Sequence, residues 1–374
     1  MSKHLSRRKL LRDSAATATA GLLLRGRSQA QQIEPVRFNG YKYATVPLRQ
    51  PEIQAAAIQS RVRAVDGGNP APGLKANLDH MLKLIDKAQY FGGRKDLLCF
   101  HEFPITGWDK WTRKQALNIA REIPGPETEA IGAKAKEYNC YITFGSYLRD
   151  KDWPGHLISA SIIINPEGKV IAKHWKQRNI RLAFLGFELF TSSVYDVMDR
   201  YVEMYGWDAV IPIARTDIGN LGCSSCQWEP ELFRTMAVKG VEIIVRTASG
   251  GGSQEDLKFA CRTNSVYGVH INNAVSPDNP NFFDDAGSGG TAIIGPRGDL
   301  VVQANNEHEA AVIGAIPIGA FRARHKLPEI NTELYAHDMA KYQSEYPPSV
   351  FSTAQPESLE STGEFLKQKA RWPR

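Results

Sequence analysis

The chain has 374 residues, of which 42% are hydrophobic and 23% charged, with five cysteines and a formal net charge of +6 at pH 7. This is the composition of a globular protein, and no apolar run approaches the roughly 18–20 residues that a transmembrane helix needs. Residues 1–30 hold seven Lys and Arg and one acid, and the remaining chain holds 39 residues of each sign. The basic excess therefore belongs to the N-terminus, and the rest of the chain makes no case for nucleic acid or an anionic membrane as a partner.

Residues 1–30 are predicted to be an export signal. The paired arginines Arg7 and Arg8 precede a short apolar segment at 15–24, and small residues, Ser28 and Ala30, mark its exit. A basic start, a short apolar stretch and a small-residue exit are features of signal peptides, and an arginine pair is typical of twin-arginine signals. We therefore expect export, in bacteria to the periplasm. The alternative is a basic, disordered N-terminal arm.

Strands and helices are predicted to alternate beyond residue 50. Strands are predicted at 52–65, 96–103, 140–148, 218–227, 241–249 and 269–275, helices at 76–93, 125–139, 230–240 and 253–268, and hairpins at 159–177 and 290–304. The spacing of apolar residues in 183–211 predicts an inserted helix that covers another part of the molecule. This alternation predicts an α/β domain over 50–325 whose sheets are covered by helices. A C-terminal extension, 326–374, follows and is expected to lie on the surface or on a partner subunit.

Three polar residues follow three apolar strands in this pattern: Glu102, Lys176 and Cys226. Ligands of open α/β sheets bind beyond the carboxyl ends of the strands, so these side chains could converge there. A thiolate can attack a carbonyl or nitrile carbon, while a carboxylate takes the thiol proton and later activates water. An ammonium group, with a backbone N–H near the start of the helix after Cys226, can stabilise the developing oxyanion.

The three motifs resemble those of the nitrilase, or carbon–nitrogen hydrolase, superfamily. They are FHEFPITGW (100–108), GKVIAKHWK (168–176) and GNLGCSSC (219–226), and the similarity continues through 230–249, 261–274 and 288–300. The resemblance implies a four-layer α-β-β-α sandwich that assembles as a homodimer or a larger homo-oligomer, without a metal or an organic cofactor. It also implies that Glu102 is the general base, Lys176 stabilises the transition state and Cys226 is the nucleophile.

The spacing after the nucleophile departs from the family pattern. Cys226 lies four residues before Pro230, where the family usually has about six, and counting back six residues reaches Ser224. We favour Cys226, because the strand glycines Gly219 and Gly222 fix the register and Ser224 has no thiol. The family often has Tyr-Asp or Trp-Glu after the nucleophile, whereas this chain has Gln227-Trp228-Glu229, so a different substrate pocket is expected.

Four residues are predicted to contact the substrate: Trp108, Asp152, Gln227 and Trp228. The two tryptophans suggest an apolar part of the substrate. The second glutamate of many family members is missing from the loop 148–157, and Asp150 or Asp152 is predicted to replace it. His101 stands where the family often has proline, and it either tunes the pKa of Glu102 or simply packs.

The pair Cys223-x-x-Cys226 also raises the question of a metal or redox site. No second pair of Cys or His lies at a spacing suited to zinc, so no metal is predicted. A redox Cys-x-x-Cys normally opens a helix, whereas Cys223 is predicted to lie inside a strand. Three residues along a strand place two side chains on opposite faces, which opposes a disulfide. We therefore expect one nucleophile and one packing residue.

The sequence thus predicts a hydrolase that cleaves the C–N bond of a small amide through a thioester on Cys226. Hydrolysis of an organic nitrile uses the same three residues and is the alternative within this class. A non-catalytic binding protein on the same fold is the alternative from another class, and a thiol redox protein would need both Cys223 and Cys226.

Overall fold

Two stacked β-sheets form the centre of the structure, a computed structural model that describes residues 41–250, 254–282 and 287–373. Their strands are β1 Ile53–Gln59, β2 Leu97–Phe100, β3 Tyr141–Asp150, β4 Trp153–Ile164, β5 Val170–Trp175, β6 Ala214–Thr216, β7 Gly219–Ser224, β8 Ile243–Thr247, β9 Tyr267–Ile271, β10 Ala292–Ile294, β11 Leu300–Gln303 and β12 Ala310–Ile316. One sheet has the order β12-β1-β2-β3-β4-β5 and the other β11-β10-β9-β8-β7-β6. Strands β1–β3 and β7–β9 are parallel, and their neighbours pair antiparallel.

Helices cover the outer face of each sheet. The described helices are α1 Pro70–Tyr90, α2 Arg113–Ile119, α3 Pro126–Tyr138, α4 Met198–Tyr205, α5 Pro230–Val238, α6 Glu255–Asn264, α7 Ile318–Arg322, α8 Glu333–Met339 and α9 Leu359–Lys367. Helices α1–α3 share a core with the first sheet, and α5 and α6 share one with the second. The predicted four-layer α-β-β-α sandwich is confirmed. Within the described ranges, no helix is both long enough and apolar enough to cross a membrane.

The period-two alternation of strand residues separates the layers. On β2, Leu97 and Cys99 face the core between the two sheets, whereas Leu98 and Phe100 face the helices. Both faces of the parallel strands are apolar, because neither face meets water. This explains why these strands read as continuous apolar runs in the sequence.

Several boundaries differ from the sequence-based expectation, such as the end of β1 at residue 59 and the start of α1 at residue 70. Helix α6 ends at Asn264, four residues before the predicted end, because Ser265 adopts the left-handed conformation with φ 53° and caps the helix. Strand β9 therefore begins at Tyr267. Within 183–211, the predicted inserted helix is limited to α4. Its buried Tyr201 packs on Trp175 of the hairpin, with ring centroids 5.1 Å apart.

The C-terminal extension packs on the domain. Phe351 and Leu359 are buried in the core that the first sheet shares with α1–α3. The Arg113 Nε–H donates to the carbonyl of Pro356, and the Phe351 N–H donates to the carbonyl of Asp196. This segment therefore contributes core side chains and does not only cover the surface. The predicted export signal at 1–30 lies outside the described residues.

The carboxyl ends of β2, β5 and β7 lie at the same edge of the sandwich. Glu102 follows β2 and Lys176 follows β5 in the first sheet, and Cys226 follows β7 in the second. Gly145 of β3 allows the chain to pass closely beside Glu102. A Cβ at Gly145 would lie 2.5 Å from both the Cα and the carbonyl oxygen of Glu102.

We predict that Gly145→Ala lowers the free energy of unfolding by about 1–3 kcal/mol, because the added methyl group overpacks against the Glu102 backbone. Chemical denaturation followed by circular dichroism measures the change. Gly363→Ala in α9 is the matched control, since its nearest neighbour beyond the helix, Glu188 Cγ, lies 4.0 Å away. Alanine there should stabilise by about 0.5–1 kcal/mol. If Gly145→Ala had the same free energy of unfolding as the wild type, the close approach of Gly145 to the Glu102 backbone would be contradicted.

Candidate active site

A buried ion pair lies where β2 and β5 end. The Lys176 Nζ is 3.2 Å from Glu102 Oε1, and Glu102 is only 6% exposed. The Ser159 hydroxyl also donates to Oε1, at 3.2 Å, and the Ser249 hydroxyl donates to Oε2, at 2.8 Å. Both carboxylate oxygens therefore have partners, which a buried charge requires. The two predicted catalytic residues Glu102 and Lys176 are brought together.

The neighbours of Glu102 carry no further charge. Burial lowers the pKa of His101 to about 3, so its imidazole is neutral at physiological pH, and its Nδ1 accepts from the Phe103 N–H at 3.1 Å. His101 thus shapes the turn after β2 and places no positive charge beside Glu102. Burial, and then the charge of Glu102, raise the pKa of Tyr147 well above its usual value. The phenol of Tyr147 therefore stays protonated beside the carboxylate.

A cavity of about 280 Å³ opens over the ion pair. Three predicted substrate contacts, Trp108, Gln227 and Trp228, line it together with Glu102 and Lys176. The remaining described lining residues come from six segments: Phe103, Tyr147, Ser159, Ile180, Ala183, Phe184, Leu189, Thr191, Ser225, Ser249 and Gly250. The segment 180–191, which precedes the inserted helix α4, therefore forms one wall of the cavity. The part of 183–211 that covers the site is a loop.

Cys226 lies beside this cavity with its thiol turned away from it. Its neighbours Ser225 and Gln227 line the cavity, whereas Cys226 is not among the described residues that do. Its thiol lies 3.5 Å from the carbonyl oxygen of Arg178 and 3.7 Å from Gln177 Oε1. Cys226 is 3% exposed and belongs to the apolar cluster beneath α5. In this conformation the thiol does not face the Glu102–Lys176 pair.

The segment 224–229, which we call the cysteine loop, is fastened to the residues after Lys176. Gln177 Oε1 accepts from the Ser224 hydroxyl at 2.6 Å, and the Ser224 hydroxyl accepts from the Cys226 N–H at 3.0 Å. The guanidinium of Arg178 forms an ion pair with Glu229 at the other end of the loop. Gln177 Nε2 is buried and has no partner among the described residues.

A second fastening holds the middle of the cysteine loop. Asp256 forms an ion pair with Arg246, which is fully buried on β8, and its Oδ2 accepts from the Trp228 N–H at 3.0 Å. Trp228 has φ 54°, the left-handed region that a bulky residue occupies only at a cost of about 1–3 kcal/mol. The bond to Asp256 stabilises this conformation. The short loop is thus fixed at three points.

Asp152 lies apart from these residues, contrary to its predicted contact with the substrate. It occupies the turn between β3 and β4 and lines a separate groove with Asp150 and Lys173. Asp150 forms an ion pair with Lys173. Neither aspartate lines the cavity, so in the described structure neither takes the place of a second glutamate. Ser159 and Ser249 contact the Glu102 carboxylate there.

The other four cysteines are buried and form no disulfide bond. Burial raises the pKa of Cys99 and Cys140 to about 12, and it raises that of Cys261 above the usual value. Burial and the nearby Cys99 raise the pKa of Cys223 well above its ordinary value, so its thiol is inert at neutral pH. Among the described residues, no three His, Cys, Asp or Glu side chains are grouped to hold a metal ion.

Sequence reasoning did not find Ser159, Ser249, Gln177 and Asp256. Ser249 follows the apolar run of β8 just as Glu102 follows that of β2, so its position after a strand is a signal that could have been used. Gln177 is next to Lys176 and could have been found in the same way. Ser159 lies within β4 and Asp256 in the first turn of α6, where the sequence gives no such signal.

Comparison with known proteins identifies the class. The model of the carbon–nitrogen hydrolase family matches residues 54–326, which is most of the chain. The chain therefore belongs to the carbon–nitrogen hydrolase family. The resemblance to the nitrilase superfamily and the prediction of a carbon–nitrogen hydrolase are confirmed at this level.

Particular relatives include both nitrilases and amidases. Nitrilase 2 of Arabidopsis thaliana is 27% identical over 235 residues, which span 57% of this chain and 62% of the relative. A formamidase of Bacillus thuringiensis is 27% identical over 223 residues, 54% of this chain and 59% of the formamidase. The chain thus matches about three fifths of the length of these relatives. An amidase from Nesterenkonia sp. AN1, solved in complex with acrylamide, superposes with a TM-score of 0.54 at 15% identity, covering 79% of this chain and 99% of the amidase. At that identity the likeness shows the fold.

We predict that Asp256→Asn destabilises the protein by about 3 kcal/mol or more, because it leaves the buried Arg246 guanidinium without its counter-charge. Denaturant titration measures the loss. Glu255→Gln is the matched control, since Glu255 is exposed and pairs with Lys258 on the surface of the same helix. It should change stability by less than about 0.5 kcal/mol. Equal losses in the two variants would show that the Arg246–Asp256 pair does not hold the cysteine loop.

Proposed function

We propose that this protein hydrolyses the C–N bond of a small amide, with Glu102 as general base and Lys176 as stabiliser of the oxyanion. The observation that carries the proposal is the buried Glu102–Lys176 pair at the base of a cavity whose far side is the cysteine loop. A carboxylate that contacts an ammonium group and two hydroxyls is positioned to accept a proton from a nucleophile. The same ammonium group can stabilise the negative charge that forms on a carbonyl oxygen.

We propose Cys226 as the nucleophile. Glu102 takes its Sγ proton, the thiolate attacks the amide carbon, and the tetrahedral intermediate collapses to a thioester as the amine leaves with the proton from Glu102. Glu102 then takes a proton from water, the hydroxide attacks the thioester carbon, and the thiolate leaves and is reprotonated as the acid is released. The four other thiols are excluded by burial and raised pKa. Rotation about the Cα–Cβ bond of Cys226 is required before attack, since its thiol now faces Arg178.

Relatives support a cysteine in this role. In one solved structure of the Nesterenkonia amidase, the acetamide moiety of fluoroacetamide is covalently added to the active-site cysteine. The named relatives are enzymes, and a non-catalytic binding role is not favoured. A nitrile would be attacked at its carbon by the same residues, and relatives named as nitrilases make nitriles the second substrate class to assay. The homodimer or larger assembly implied by the family stays a prediction.

We predict that Cys226→Ala lowers kcat for amide hydrolysis at least about 1,000-fold, because no other nucleophile replaces the thiol. Glu102→Gln should cause a loss of similar size by removing the base. Ammonia release from a panel of amides and nitriles measures both. Lys176→Met tests the proposed stabiliser of the oxyanion in the same assay. Its control is Lys173→Met, since Lys173 lies on β5 and pairs with Asp150 away from the cavity.

Two serine variants test whether Cys226 or a neighbouring serine is the nucleophile. Ser225 lines the cavity, and Ser224 lies at the position reached by counting back from Pro230. We expect Ser225→Ala and Ser224→Ala to retain turnover and Cys226→Ala to lose it. If Ser225→Ala loses turnover and Cys226→Ala keeps it, the nucleophile is the hydroxyl in the cavity and the assignment to Cys226 is wrong. If wild type releases no ammonia from any amide or nitrile, the hydrolase proposal fails.

We also propose that residues 1–30 direct export to the periplasm of a bacterial host. Replacing the arginine pair, Arg7→Lys with Arg8→Lys, should leave the protein in the cytoplasm, because twin-arginine signals depend on that pair. Arg25→Lys with Arg27→Lys makes the same change in residue type outside the pair and should leave export intact. Immunoblots of periplasmic and cytoplasmic fractions measure the distribution. Unchanged export of the first variant would contradict a twin-arginine signal.

A further inference from the structure

We infer that the preferred substrate is a neutral amide whose acyl group is apolar and of moderate size, such as a pentyl or phenyl group. This inference rests on the proposed amide hydrolysis and names its substrate class. It is carried by three properties of the cavity over Glu102 and Lys176: apolar walls, paired charges and a limited volume.

The walls of the cavity are apolar away from the ion pair. Phe103 and Trp108 are almost completely buried and contribute aromatic surface from the segment that follows Glu102. Phe184 and Leu189 contribute the opposing wall from the loop before α4. Two polar side chains, Ser159 and Ser249, contact Glu102, and apart from Lys176 the other polar lining residues are uncharged: Tyr147, Thr191, Ser225 and Gln227. A substrate therefore places its amide beside Glu102 and Lys176 and its acyl group against the apolar side chains.

The cavity offers no free charge to an ionised acyl group. Among its described lining residues, Glu102 and Lys176 are the charged ones, and they neutralise each other. The nearest charged groups of the cysteine loop region are paired as well, Arg178 with Glu229 and Arg246 with Asp256. A carboxylate or an ammonium group on the acyl chain would lose its hydration without gaining a counter-charge, which is costly.

The volume sets the size of the acyl group. The cavity of about 280 Å³ lies at the lower end of the roughly 300–1,000 Å³ that is typical of small-molecule sites. It therefore suits an amide with an acyl group such as a pentyl chain or a phenyl ring better than one with a much larger group.

The test compares kcat/KM for acetamide, hexanamide, benzamide and two charged analogues of hexanamide. The analogues are adipamate, in which a carboxylate replaces the terminal methyl group, and 6-aminohexanamide, which carries an ammonium group on the terminal carbon. We expect hexanamide and benzamide to exceed acetamide on the order of 100-fold, because the additional carbon atoms are buried against apolar walls. Each charged analogue should fall at least about 100-fold below hexanamide.

A pair of variants locates the effect in the cavity. Phe184→Ala removes part of the apolar wall and should lower kcat/KM for hexanamide more than that for acetamide. Leu185→Ala is the matched control, because Leu185 is the next residue, is fully exposed and does not line the cavity. It should leave the ratio of the two substrates at the wild-type value. A ratio that is unchanged in Phe184→Ala would overturn the assignment of the wall.

The outcomes separate this inference from the proposed function. If acetamide and adipamate are hydrolysed as well as hexanamide, amide hydrolysis stands and the apolar class is wrong. If no amide is hydrolysed, the proposed function fails, and titration calorimetry of wild type with the same compounds tests the cavity directly. Hexanamide binding at least about 10-fold tighter than acetamide and adipamate would support the apolar class, and equal binding would overturn it.

Discussion

The arrangement of the site depends on one interaction, the buried ion pair between Glu102 and Lys176. Removing two charges from water costs several kcal/mol per ion, and their attraction offsets this only if the remaining oxygens are also hydrogen-bonded. Here Ser159 and Ser249 supply those bonds, one from the hairpin of the first sheet and one from the strand end of the second. The pair is therefore satisfied only when the two sheets are correctly stacked. The geometry of the candidate site and the packing of the two sheets are one constraint.

The three residues after β5 extend this constraint to the cysteine loop. Lys176 binds Glu102, Gln177 binds Ser224, and Arg178 binds Glu229. One short segment of the first sheet thus holds the carboxylate of its own sheet and both ends of a loop that begins in the other. This explains how a loop shorter than the family pattern keeps a fixed conformation. Within this short loop, Trp228 has a left-handed backbone conformation, and a hydrogen bond to Asp256 stabilises it.

The sequence predicted most of the fold and part of the site for identifiable physical reasons. Buried parallel strands are continuous apolar runs, so β2 and β8 and the residues that follow them were recognisable. Glu102 was found because a carboxylate that ends an apolar run is unusual without a partner, and Lys176 was found from its position alone. Ser159 gave no signal, since a serine inside an antiparallel strand is common, and its role depends on the register of β4 with β5. Asp152 was predicted from its place in the chain, but the turn between β3 and β4 directs it to another surface.

The orientation of Cys226 shows what chain position alone cannot decide. Ser225 and Gln227 line the cavity, whereas the thiol of Cys226 between them lies against Arg178 and Gln177. The end of β7 fixes the approximate place of all three residues, but the contacts of the loop orient their side chains. The bond between Gln177 and Ser224 holds the start of this loop, and the ion pair between Arg178 and Glu229 holds its end. The orientation of the proposed nucleophile thus depends on contacts between two segments that are far apart in the sequence.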